Sequence, residues 1–195
     1  MSGNRLALFG GAFDPIHNAH LAVAAAAANE FHLNRVLFVP AHRPPHKGGM
    51  TYAPYEHRVR MVELACVFDR RFEASRLEEG AGCSYSIDTI ERVQATLTPA
   101  DELFFIIGAD AFAEVRTWRR WQDVGRAVRF LVVSRPGYGY DVPREVKAER
   151  LDTVELLASS SQVRQALAAG HTAESVPERV MQYIKAHGLY SVALH

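Results

Sequence analysis

The sequence predicts an α/β fold: a doubly wound, mainly parallel sheet with helices on both faces. Three features predict it. Short apolar runs alternate with helix-like segments from one end of the chain to the other. Several runs are apolar without a polar break, as strands covered on both faces are. The residues with chemistry in them follow those runs directly, where an open parallel sheet binds its ligands.

The elements follow in order. A short buried strand is expected over residues 5–9 and a helix over 21–31. VLFV marks a second strand at 35–39, closed by Pro40. Over 55–68, Val59, Val62 and Cys66 share one helical stripe, with Arg58, Arg60 and Glu63 largely off it. Residues 72–77 alternate in character like a strand, and 86–97 turn Ile87, Ile90 and Val93 inward on a helix. LFFII at 103–107 is the most apolar strand, 129–133 is another, and a sixth is expected at 154–157. Helices over 161–169 and 177–187 end the pattern, each followed by a glycine suited to a left-handed C-cap. With no repeat, linker or compositional break, a single domain is expected over 1–195, the last helices (about 159–190) packed on it.

Bulk properties narrow the function. Of the 195 residues, 48% are apolar, enough for a substantial core. Lys plus Arg and Asp plus Glu number 22 each, so the basic excess of a general nucleic-acid binder is missing. A small anionic ligand needs only a local positive field and stays open. No apolar run approaches the roughly 20 residues of a membrane span, and no leader pattern stands at the start. Cys66 and Cys83 form no CxxC, which argues against a disulfide framework or zinc knuckle. A cytoplasmic enzyme is the expectation, with oligomeric state left open.

The chemistry begins after the first strand, in GGAFDPIHNAH. Gly10 and Gly11 permit a sharp turn or close approach of backbone to a ligand. His17 and His20, three apart, share one side of a helix's first turn, where free N–H groups and the helix dipole favour an anion. Solvated histidines at a helix start are the plain alternative. An HxxH pair also suggests zinc, but no third ligand accompanies it at a suitable spacing. Neither GxxxxGK[ST] nor GxGxxG occurs here, which sets aside P-loop kinases and ordinary nicotinamide-dependent dehydrogenases.

Four further segments follow strands. VPAHRPPHKGG presents His42, Arg43, His46 and Lys47 on a proline-stiffened loop. In CSYSIDTIERV, Ser84 or Ser86 is placed to cap the next helix. In FFIIGADAFAEVRTW, Gly108 opens access, Asp110 suits ribose hydroxyls, and Trp118 is either core or a stacking face. ASSSQVR sets Ser160, Ser161 and Arg164 at a helix start, joining hydroxyls, helix-end N–H groups and a guanidinium around one point.

These motifs resemble, in order, those of bacterial nicotinate-nucleotide adenylyltransferases in the nucleotidyltransferase superfamily. GGAFDPIHNAH is similar to GxFDPxHxGH, with Ala19 where the pattern has Gly. PPHK, SYS (for SYT), SRPG at 134–137, SSSQVR (for SSTxIR) and the C-terminal GLY also match. The resemblance implies a Rossmann-like nucleotidyltransferase fold and transfer of AMP from ATP to nicotinate mononucleotide, giving deamido-NAD and pyrophosphate. It assigns His17 and His20 to catalysis, and Gly10, Gly11, Phe13, Gly108, Asp110, Ser160, Ser161 and Arg164 to ATP. Lys47, Ser84, Tyr85, Ser86 and Trp118 fall to the acceptor, with the SYS loop recognising the pyridine carboxylate largely through backbone donors. Mg²⁺ is implied as cofactor, held by nucleotide and water and not by a dedicated carboxylate cluster. The opening motif is shared with adenylyltransferases acting on nicotinamide mononucleotide or phosphopantetheine, which stand as the alternatives.

Overall fold

The computed structural model describes residues 3–43, 52–80, 82–134, 139–152 and 159–191. Six strands form one sheet: β1 (Arg5–Gly11), β2 (Arg35–Pro40), β3 (Phe72–Ala74), β4 (Glu102–Gly108), β5 (Arg129–Ser134) and β6 (Lys147–Asp152). Their order is β3-β2-β1-β4-β5-β6, and every neighbouring pair is parallel. The order reverses between β1 and β4, the switch point at which such sheets bind ligands.

The pleat divides the core in two. Ala7, Phe9, Val36, Phe38, Phe104 and Ile106 face α1 (Asn18–Glu30), α2 (Tyr55–Cys66), α6 (Ser160–Ala168) and α7 (Glu178–Ala186). Leu8, Leu37, Val39, Phe105, Ile107 and Phe130 face α3 (Ser86–Gln94), α4 (Ala109–Ala113) and α5 (Trp121–Ala127). Both faces of the middle strands are therefore covered, which explains their unbroken apolar runs. A fully buried Val, Leu, Ile or Phe side chain among these contributes about 1.5–3 kcal/mol.

The departures from expectation have physical reasons. The sixth strand is KAERLD at β6, while residues 154–157 lie outside the described residues. As an edge strand it buries only Leu151, and its charges discourage pairing with another chain. Helix α1 begins at Asn18, ahead of the expected residue 21, because His17 serves as its N-cap. Arg58 sits on the buried stripe of α2 with Met61, Val62 and Ala65, and is fully buried. The short α4 and α5, and the 3-10 turn Val115–Thr117 between them, were not signalled by periodicity. Gly170 and Gly188 adopt left-handed φ of 77° and 59° after α6 and α7, as expected of C-caps. No helix among the described residues is long and apolar enough to cross a membrane.

Candidate active site

At the carboxyl ends of β1, β2 and β4 a cleft of about 440 Å³ opens towards α3. Gly10, Gly11 and Ala12 form one side of it, Ser84, Tyr85 and Ser86 another, and Trp118 a third. The two glycines do not make the turn. Both lie in β1 without positive φ, and the left-handed residue is Phe13, at φ 47°. A Cβ on Gly10 would meet only the Phe105 ring, at 3.6 Å, so bare backbone there serves to leave the cleft open.

Beyond Ala12 the chain turns through Asp14 and Pro15 into α1. His20 Nδ1 accepts the His17 backbone N–H at 3.2 Å, so a neutral His20 ring holds its proton on Nε2, ready to donate. The His17 and His20 rings stack at 3.7 Å. Phe13 is buried, its ring edge-on to His20 at 5.1 Å, so it supports that ring from the core and does not line the cleft. Burial holds His17 at a pKa of about 4. Burial, then the neighbouring His17, lowers His20 well below the usual imidazole value. Both histidines are thus neutral hydrogen-bonding groups near pH 7. Ala19 occupies the second position of α1 with no left-handed φ, so its methyl needs no strained backbone.

The closing motif docks on this turn. Ser159 caps α6, its Oγ accepting the Gln162 N–H at 3.2 Å. Ser160 Oγ donates to the Pro15 carbonyl at 3.0 Å. The Arg164 guanidinium donates to the Asp14 carbonyl at 2.7 Å and to Ser161 Oγ at 3.1 Å. Residues 150 positions apart are joined directly. A cation and a helix N-terminus are thereby placed beside the histidine turn.

The Ser84–Ser86 side of the cleft is built differently. Tyr85 is the N-cap of α3 and makes no side-chain cap bond, so neither Ser84 nor Ser86 caps it. Ser84 instead stitches the loop to the strand-two side, its N–H donating to the Arg43 carbonyl and its Oγ accepting the Arg43 N–H, both at 3.2 Å. The first-turn N–H groups of Ser86 and Ile87 have no partner among the described residues. Trp118 packs edge-on against Phe105 at 5.9 Å while lining the cleft. One flank is core and the rest faces the ligand space.

Gly108 lines the cleft as the N-cap of α4, and Asp110 is exposed in that helix's first turn. Lys47, His46 and residues 135–137 of the SRPG motif lie outside the described residues. Three contributors were missed. Arg58 donates to the carbonyls of Ala12, Ala41 and Ala53 at 2.7, 2.8 and 3.1 Å, pinning the segments that follow β1 and β2. Glu78, buried in the cleft wall, accepts from Thr89 Oγ1 at 2.8 Å, and its Oε2 has no partner among the described residues. Arg119 lines the cleft with its guanidinium over Tyr85 at 4.8 Å. For Thr89, its place three residues after Ser86 on one helix face was the only available signal.

Comparison with known proteins bears on the family and the fold. Residues 8–166 match the family described as cytidylyltransferase-like. A relative from Solibacter usitatus, named "Probable nicotinate-nucleotide adenylyltransferase", is 62% identical over 96% of this chain and 100% of its own length. A Thermus thermophilus relative of the same name is 43% identical, covering 95% of this chain and 99% of its own. The structure of Plasmodium falciparum nicotinic acid mononucleotide adenylyltransferase complexed with NaAD superposes with a TM-score of 0.78. It covers 96% of this chain and 97% of its own at 18% identity, a likeness of fold.

Proposed function

The chain belongs to the cytidylyltransferase-like family, and within it we propose that it is a nicotinate-nucleotide adenylyltransferase, joining AMP from ATP to nicotinate mononucleotide. Deamido-NAD and pyrophosphate are the products. The observation that carries this reading is the single cleft, with bare glycine backbone on one side and the Ser84–Ser86 loop and Trp118 on the others. Its glycine side leads within a few residues to the turn where His17, His20 and Arg164 converge. Full-length identity to relatives of that name supports the same substrates.

In this reading the acceptor's 5′-phosphate oxygen attacks the α-phosphorus in line, and the bond to pyrophosphate breaks. No side chain forms a covalent intermediate. Catalysis consists of holding two anions together and stabilising the charge on the equatorial oxygens. His20 donates from Nε2 to the α-phosphate region, with His17 stacked on it. Ser160, Ser161 and Arg164 steady the β- and γ-phosphates. The free amides of Ser86 and Ile87 receive the pyridine carboxylate, and Trp118 packs against the ring. Lys47 completes the acceptor's anion site, and Asp110 the ribose contacts of ATP.

A bound Mg²⁺ would neutralise charge on the phosphates of ATP. Among the described residues no three His, Cys, Asp or Glu side chains gather as ligands. The carboxylate of the opening turn, on Asp14, already accepts three hydrogen bonds. The cation therefore belongs with the triphosphate oxygens and water, as Mg²⁺ commonly does.

Pyrophosphate release from ATP, measured with nicotinate mononucleotide, its amide or phosphopantetheine as sole acceptor, tests the proposal. Release with the acid and a product of the mass of deamido-NAD are expected. Turnover with phosphopantetheine alone would replace the assignment.

A further inference from the structure

The transfer chemistry described above makes no use of the last residues of the chain, yet Tyr190 reaches back to the opening turn. We infer that Tyr190 is a positioning residue for the proposed triphosphate site at the histidine turn beside the cleft, acting through Asp14 and Tyr52 on Arg164. The inference rests on the proposed transfer reaction and gives a role to the tyrosine of the C-terminal GLY, which that reaction leaves without one.

The tail is bent for this contact. After Gly188 ends α7, Tyr190 itself takes a left-handed φ of 63°, a conformation unfavourable for a residue with a Cβ. Its phenol donates to Asp14 Oδ1 at 2.7 Å. The same oxygen accepts the Ala53 N–H at 3.0 Å, and Oδ2 accepts the Tyr52 N–H at 2.7 Å. Asp14 is 3% exposed, so these three donors stand in for water around a buried carboxylate.

Both ends of Asp14 bear on Arg164. Its backbone carbonyl accepts from the guanidinium at 2.7 Å, while its carboxylate fixes the backbone of Tyr52. The Tyr52 ring lies against that guanidinium, 4.1 Å from ring centre to the central carbon. Burial, then the Asp14 charge, pushes the Tyr190 phenol upward from its ordinary value, so it remains a donor throughout the working pH range. Without the phenol, Asp14 Oδ1 loses a donor. The under-satisfied carboxylate then competes with phosphate for the adjacent guanidinium.

Two experiments decide the matter. Tyr190→Phe keeps the ring and removes one hydroxyl. Its KM for ATP is expected to rise about fivefold, the scale of one ordinary hydrogen bond's net contribution, with the acceptor KM changed less than twofold. Binding is reciprocal, so in the unaltered chain a non-hydrolysable ATP analogue should slow amide hydrogen exchange at Gly188 and Leu189, and nicotinate mononucleotide alone should not. An unchanged ATP KM, or an equal rise in both KM values, in a folded Tyr190→Phe protein overturns the inference. So does exchange at the tail that ignores the ATP analogue, and this second reading stands even if the variant does not fold. Failure of the unaltered enzyme to release pyrophosphate would instead overturn the transfer reaction, while the exchange experiment would still judge Tyr190.

Discussion

The histidine turn and the Ser84–Trp118 side of the cleft are built on contrasting plans. At the histidine turn, where the proposal puts phosphate, most polar groups are held by the protein: Asp14 accepts three hydrogen bonds, Ser160 and Arg164 hold carbonyls of the turn, and His20 accepts from His17, while the buried His17 Nδ1 has no partner among the described residues. At the Ser84–Trp118 side, where the proposal puts the acceptor, groups are left with valence to spare. The Ser86 and Ile87 amides, Glu78 Oε2 and the cleft side of Trp118 have no partner among the described residues. The difference suits the chemistry. A reacting phosphorus needs donors held rigidly before it arrives, because their value lies in not having to reorganise. A bound base needs complementary surface, and selectivity comes from groups that only the right substituent can satisfy.

The largest expected effect breaks the phosphate end. His20→Ala removes the Nε2 donor, and kcat should fall about 10²–10³-fold, the usual loss for one preorganised donor. Near-full turnover in that variant would remove His20 from the mechanism. At the other end, Trp118→Ala takes away a flat face. Its acceptor KM should rise on the order of tenfold, within the range of about 1–3 kcal/mol for aromatic stacking, with ATP KM nearly unchanged. Steady-state kinetics with each substrate varied in turn separates the two ends. If Trp118→Ala raised both KM values together, the division of the cleft would fail.

A smaller effect concerns pH. His17 has a folded pKa of about 4, below the 6.5 of an ordinary imidazole in the unfolded chain, and burial is the cause. Between these values the unfolded chain binds a proton that the folded one refuses. Stability is therefore full above about pH 6.5 and is lost as pH falls towards 4, by at most about 1.4 kcal/mol per pH unit for this group. His20, shifted in the same direction, adds to the loss. Denaturant midpoints at pH 7 and 5 should show the drop, and His17→Asn should reduce it. An unchanged slope in that variant would mean that His17 is not the buried neutral group described.

Most of the sheet was legible because its middle strands are buried on both faces and must be apolar throughout. Strand β6 was not, since an edge strand with one buried residue, Leu151, carries almost no pattern. Helices α4 and α5, five and seven residues long, are too short for a 3.6-residue period to declare itself. The motifs that form the cleft could be read in order along the chain, but the bonds that assemble them could not. Arg58 looks like a surface residue until Ala12, Ala41 and Ala53 turn their carbonyls towards it. Tyr190 and Asp14 are 176 positions apart, and no local signal joins them. The capping role expected of Ser84 or Ser86 also failed for a tertiary reason: Ser84 is drawn away to Arg43, and no side chain caps the first turn of α3.

That vacant first turn sets the most direct test. Two unpartnered amides at a helix N-terminus favour a carboxylate over a neutral carboxamide. In the unaltered enzyme, kcat/KM for nicotinate mononucleotide should exceed that for nicotinamide mononucleotide by about tenfold or more, equivalent to about 1.4 kcal/mol. Equal values for the two acceptors, or a preference for the amide, would contradict the account.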